Sequence, residues 1–271
     1  MNSKFFKILS LLLFIFFAGF ISTDCYKKQS EYTQTNIRNI PTGLKKLMTA
    51  YPDFIDSVDE NHLYWIDGTK MIYDDGKQRT FEEMFENGSL KDMMSQEYVM
   101  GEDFQKPPAE NYDPGRIRNE EFFKKMYGNS SGEVQKNLVV IQWMPQSTNK
   151  SIKITSVNEV DIQLKSVSDE LEKLPNEFKK YLTKLGGTFN WRVIEGTDKL
   201  SMHSFGIAID INIEYSNFWR WEGGNKGKII YRNKIPMEIV KIFEKYGFIW
   251  GGKWYHYDTM HFEYRPELLV N

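Results

Sequence analysis

Two short segments set the tightest condition on any fold for this chain. They are Ser201-Met202-His203-Ser204-Phe205-Gly206-Ile207-Ala208-Ile209-Asp210 and, about fifty residues later, Asp258-Thr259-Met260-His261. If the fold brings them together, it assembles two imidazoles and one carboxylate. That is the three-donor set with which a catalytic zinc is held while a fourth position stays open. A further carboxylate, Asp258, stands three residues before the last histidine, where a general base could sit.

Local pattern adds to this. Gly206 and Ala208 are small and permit close backbone approach beside a site. In a strand, Ile207, Ile209 and Ile211 face one side and Ala208, Asp210 and Asn212 the other, so Asp210 is expected to line a cleft opposite an apolar face. Read alone, Asp210 is more readily a solvent-facing strand residue and His203 a satisfied loop histidine. In the tail, Asp258 and His261 lie on opposite faces of a straight strand, because their separation is odd. They converge only if a turn or bulge intervenes, with Asp258 ending a loop, His261 opening a strand, and His261 and Glu263 sharing a face. The plainer alternative is an aromatic core strand with a stray histidine.

The 271 residues suffice for one large core or a core with an extension. Thirty-five basic residues stand against 37 acidic ones, with no long basic run, which argues against a nucleic-acid partner. The single cysteine, Cys25, excludes an intrachain disulfide and a thiolate cage, so any metal depends on His and Asp/Glu. Lys4 and Lys7 precede the apolar run Ile8 to Ile21, which fits an export signal cleaved or retained as an anchor over residues 1–24. Cys25 stands where a lipoprotein is acylated, although Ser22-Thr23-Asp24 before it matches that signal poorly. Membrane association is expected only through this segment, and the location is exported: periplasm, cell envelope or outside.

Residues 25–134 read as a region without an assignable role, opening with a poorly ordered lead-in to about residue 50. Asp67-Gly68, between His62–Ile66 and Lys70–Tyr73, is a strong hairpin signal, and His62 reads as structural. The Pro- and Gly-rich stretch 106–115 reads as a loop, and Arg116–Tyr127 as a helix. From residue 135 onward, Leu138–Trp143 reads as a buried strand, Ser151–Val157 as an alternating one, and Val167 to Leu182 as helix with a restart at Pro175. Gly186-Gly187 reads as a helix stop. Thr188–Val193, Phe205–Ile213 and Phe248–Tyr264 read as strands, with a helix opened by Pro236 and stopped by Gly247. The class is α+β, a small mainly antiparallel sheet with flanking helices and an N-terminal extension.

The paired segments resemble the zinc peptidases of the D-alanyl-D-alanine carboxypeptidase and VanY-like family. Its motif S-x-H-x-x-G-x-A-x-D, followed by [DE]-x-x-H, is matched by Ser201, His203, Gly206, Ala208 and Asp210, then Asp258 and His261. The likeness covers roughly residues 135–271 and is concentrated after residue 188. It implies the hedgehog/D-Ala-D-Ala peptidase fold, Zn²⁺ held by His203, Asp210 and His261, and Asp258 as general base. It also implies peptidoglycan stem peptides as substrate, cut as a carboxypeptidase or as an L-Ala-D-Glu-type endopeptidase.

Arg192 resembles the family's arginine near the scissile carbonyl and would steady the oxyanion; otherwise it is a surface arginine. Ser201 would bond substrate or orient His203, or is a turn serine. His256 is expected near the site but off the metal. Trp254, after Gly251-Gly252, would shape the cleft wall, unless those glycines simply form a turn. Glu263 would accept from the far nitrogen of a ligand histidine. The competing function is a zinc-containing cell-wall binding or sensor domain without turnover, as in hedgehog-type signalling proteins; retention of Asp258 argues for the enzyme.

Overall fold

The computed structural model describes residues 39–223 and 229–270. The apolar segment and Cys25 lie outside the described residues, and no helix among the described residues is long and apolar enough to cross a membrane.

The structure is α+β, with three small antiparallel sheets and short helices. The sheet that carries both motifs has the order β6-β7-β9-β8: Leu185–Gly187, Ala208–Asn212, His261–Tyr264 and Phe248–Trp250. Its two inner strands therefore bear Asp210 and His261. Ile209, Ile211 and Phe262 are wholly buried, so this sheet is covered by protein and its register is fixed by that burial. Helix α8, Met237–Lys245, lies over it, and Phe243 stacks on Phe262 with centroids 3.8 Å apart. Pro236 precedes the helix and Gly247 (φ +87°) follows it, as expected of its start and stop. Helix α6, Val160–Leu171, packs between α8 and the β4–β5 hairpin, Leu138–Trp143 with Lys150–Thr155.

The region before residue 135 joins the same core. Helix α1, Thr42–Ala50, buries Leu44 and Leu47 and packs on strands β1 (Ile55–Val58) and β2 (His62–Trp65) and on the turn Pro266–Leu268. Tyr51 donates to Glu267 at 2.6 Å. Phe122 and Phe123 of α4, Glu120–Tyr127, are fully buried, and Phe123 meets Phe205 at 5.9 Å between centroids. Fully burying such a ring stabilises by about 1.5–3 kcal/mol.

Several sequence expectations need correction. Residues 42–50 are helical, because the spacing of Leu44 and Leu47 finds a tertiary surface to cover. The hairpin at Asp67-Gly68 forms as expected, with β2 paired to Lys70–Ile72 (β3). Helix α4 begins only at Glu120, where Asn119 caps it by accepting from Phe122 N at 3.1 Å. The strand Leu138–Trp143 is only partly buried: Trp143 is enclosed, while Val140 is 60% exposed on a two-stranded ribbon. Gly186 and Gly187 lie within β6 instead of ending a helix. A Cβ on Gly186 would lie 3.0 Å from Asp210 Cβ, which explains the small residue beside the site.

Thr188–Val193 is not a ladder strand. Its backbone is stitched to the turn that bears His203: Asn190 N donates to His203 O, and Ser204 Oγ donates to Arg192 O. The expected strand 205–213 starts only at Ala208. The tail is two short strands separated by the turn Gly251–Lys253 and a loop.

Candidate metal centre and its cleft

His203 sits in a 3-10 turn, Met202–Phe205, capped by Ser201, whose Oγ accepts from His203 N at 3.4 Å. Gly206 ends that turn at φ +67°, and a Cβ there would meet Leu138 Cδ2 at 2.8 Å. Conformation and space both call for glycine. The chain then enters β7, which carries Asp210 opposite His261 of β9. Asp258 precedes β9 in a tight turn closed by His261 N donating to Asp258 O at 3.3 Å. This is the turn that the odd spacing requires.

The three side chains converge. Asp210 Oδ1 lies 3.2 Å from His203 Nε2 and 3.0 Å from His261 Nδ1, and one donor atom from each residue falls within 4.8 Å of the others. Donors on a tetrahedral zinc at about 2.0–2.1 Å stand roughly 3.3 Å apart, close to the two observed separations. The tautomers fit as well. His203 Nδ1 faces the Thr188 carbonyl, which can only accept, so Nδ1 carries the proton of a neutral ring and Nε2 presents its lone pair. His203 Nε2 is buried with no hydrogen-bond partner; Asp210 is near enough to attract it but is not aligned to bond it. His261 Nε2 lies 2.9 Å from Glu263 Oε2, which directs Nδ1 toward Asp210. The described residues thus fit a metal ion at this point.

The electrostatics agree. Burial would push Asp210 up, but the adjoining imidazoles of His203 and His261 outweigh it and hold the carboxyl well below its usual range. Burial would lower His261, but the carboxylates at its two nitrogens raise it to about 10. That preference for positive charge is one a cation at Nδ1 would satisfy. Burial, followed by the charge of Asp210, pushes Asp258 up to about 6, and its Oδ1 is buried without a partner. Burial would also raise Glu263, yet the neighbouring Arg118, His261 and Arg265 hold it well below the carboxylate range.

A cleft of about 240 Å³ opens onto this set. Arg192, Ser201, Trp254, His256 and Asp258 all line it, whereas Glu263 lies behind His261. Arg192 is exposed at the rim, its Nη1 donating to Val193 O at 3.4 Å. His256 stays off the donor set: its Nδ1 lies 2.5 Å from Asp113 Oδ2, and its ring sits between Phe81 and Trp219. Trp254 donates to Pro114 O at 2.7 Å and places its ring 5.8 Å from that of His261. Gly251-Gly252 forms part of a 3-10 turn. His62 bonds Asp59, away from the cleft.

Sequence reasoning missed Arg116 and Arg118, which line the cleft from a loop about ninety residues before His203. Arg116 pairs with Asp113 at 3.2 Å and lies between the rings of Phe85 and Trp254. Arg118 pairs with Glu263 at 2.5 Å. No local spacing marks either as a site residue.

Comparison with known proteins agrees with the motif. Residues 195–264 match the profile of a family described as D-alanyl-D-alanine carboxypeptidase. The matched part spans β7, α8 and the whole β8–β9 tail, and it holds His203, Asp210, His261 and Asp258 but not the cleft-lining Arg116, Arg118 and Arg192. The expected resemblance is thereby borne out over this part of the chain, and a peptidase is the class of hydrolase it indicates. No curated protein and no solved structure matches the chain.

Proposed function

We propose that this chain is an exported zinc metallopeptidase that hydrolyses peptide bonds in peptidoglycan stem peptides. The observation that carries the reading is the buried, unpartnered Nε2 of His203, facing Asp210 and His261 at the base of a cleft that also holds Asp258. The family description at residues 195–264 supports the substrate class. Export is supported by the sequence pattern of Lys4, Lys7 and the apolar run after them.

His203 through Nε2, Asp210 through its carboxylate and His261 through Nδ1 would hold the zinc. When bound, the ion supplies Lewis acidity, polarising the scissile carbonyl and acidifying a water. Asp258 accepts that water's proton and returns it to the leaving amine, a role that suits a buried carboxylate beside the donor set. Arg192 at the rim donates to the oxyanion that develops on the former carbonyl. Trp254 and His256 form the wall that orients the peptide, and Ser201 keeps the His203 turn closed. Arg116 adds a second guanidinium, which suits a substrate bearing carboxylates.

The test is metal content together with turnover. The purified protein is assayed for bound zinc and incubated with defined muropeptides under mass spectrometry. One zinc per chain and loss of a terminal D-Ala, or a split stem, is the expected result and identifies the bond. One zinc without cleavage of any stem points to a binding module, and protein that takes up no zinc ends the proposal.

A further inference from the structure

The third donor, His261, is tied to the region before residue 135 by a short buried path. Glu263 Oε2 accepts from His261 Nε2 at 2.9 Å, and the same oxygen lies 2.5 Å from Arg118 Nη2. The other oxygen, Oε1, is taken by Arg265 Nη1 at 3.0 Å. Glu263 and Arg265 are both fully buried. Arg118 is itself fixed in place: Asn119, its neighbour, caps α4 and donates to Gly88 O, while Arg265 holds Gly115 O at 2.7 Å. The two guanidiniums thus divide the carboxylate between them, and the oxygen that orients His261 is the one Arg118 holds.

We propose that Arg118 is a positioning residue for the metal centre. Resting on the reading of His203, Asp210 and His261 as metal ligands, the inference assigns to Arg118 the fixing of Glu263 Oε2. That in turn fixes the His261 ring with Nδ1 toward Asp210. Without Arg118, Glu263 keeps only Arg265 on its far oxygen, and its Oε2 is free to leave His261 Nε2. Partners of this kind behind a ligating histidine set ring orientation and ligand basicity, and their loss typically weakens metal binding by about 10- to 100-fold. Arg118 lies outside the stretch that matches the carboxypeptidase profile, so this role belongs to the chain's own N-terminal region.

The experiment compares the full-length wild type with Arg118→Met and Arg118→Lys. Zinc affinity is read by competition with a chromophoric chelator, and the cobalt(II)-loaded forms by their d–d spectra. Arg118→Met is expected to bind zinc about 10- to 100-fold more weakly, with altered cobalt bands, and Arg118→Lys to recover most of both. If Arg118→Met does not fold, Arg118→Gln, which keeps a neutral donor, carries the same expectation of weakened binding. A folded variant with wild-type affinity and cobalt spectrum overturns the inference. So does a loss that lysine does not restore and that follows an equal fall in metal-free melting temperature. A wild type that takes up no zinc overturns the metal reading itself, which separates the two failures.

Discussion

Asp210 and His261 are direct cross-strand partners: β7 and β9 run antiparallel with these residues in register, placing Asp210 Oδ1 3.0 Å from His261 Nδ1. Sheet pairing, more than loop conformation, assembles two of the three donors. A one-residue slip would turn one of them to the opposite face, and the buried Ile209, Ile211 and Phe262 oppose such a slip.

Asp210→Asn keeps the shape of that pair and removes the charge. Its zinc affinity should fall by more than the ~100-fold usual for partners behind a ligand, with His203→Ala and His261→Ala falling at least as far. Chelator competition reads the change. Near-wild-type affinity in Asp210→Asn would mean that the carboxylate is not a ligand.

Asp258→Ala should retain one zinc per chain while turnover drops by about 10²- to 10⁴-fold, the usual contribution of a positioned proton acceptor. Metal analysis and muropeptide cleavage on the same preparation check this. Loss of zinc in the variant would place Asp258 among the ligands.

The pH dependence has two opposite signs. Proton acceptance needs ionised Asp258, whose carboxyl is pushed up to about 6 by burial and by Asp210. A neighbouring cation favours the carboxylate, so the acid limb of kcat/KM should have its midpoint below about 6. An acid limb centred above neutrality would count against Asp258 as the base.

For the fold without metal, the raised carboxyl means that the folded state binds this proton more tightly than the unfolded chain, whose value is about 3.9. The resulting stability is full below about pH 4 and is lost as pH rises through about 6. Asp258→Asn mimics the protonated form. In chelator at about pH 8 it should be more stable than wild type by on the order of 1–3 kcal/mol, with little difference at about pH 4. Denaturant melts at the two pH values test this, and equal stability at both would show Asp258 to be unstrained.

Lys253 and Glu244 form an ion pair with 1% and 2% side-chain exposure, the lysine also donating to Val99 O and Gly101 O. Lys253→Met leaves the carboxylate buried and uncompensated, at a cost of about 3–5 kcal/mol. Because the pair lies outside the donor set, the folded fraction of this variant should still bind zinc. A melting temperature equal to wild type would show that water reaches Glu244.

The convergence of His203, Asp210, Asp258 and His261 on one cleft was legible because short-range pattern and the paired family motif carried it. Glycine and alanine beside the histidine, the alternation in β7 and the odd spacing in the tail are all local signals. The segment Thr188–Val193 was misread because its apolar and β-branched residues resemble a strand, while its carbonyls are committed to His203 and Ser204. The helix at 42–50 was missed because its apolar stripe is short and gains meaning only against β1, β2 and the distant turn Pro266–Leu268. Arg116, Arg118 and Asp113 were invisible as site residues, since long-range packing alone brings them to the cleft.

The contacts that Gly115, Arg118 and Tyr51 make with Arg265, Glu263 and Glu267 bear on where this molecule can be cut. A fragment trimmed to residues 135–271 would keep every donor atom and lose the underside that holds them. It would expose Phe205 where Phe123 now lies, and would leave Glu263 and Glu267 short of buried partners. The smallest autonomous unit of this molecule is therefore set by what its motif rests on, and gene fusions or domain grafts should carry the chain from α1 onward.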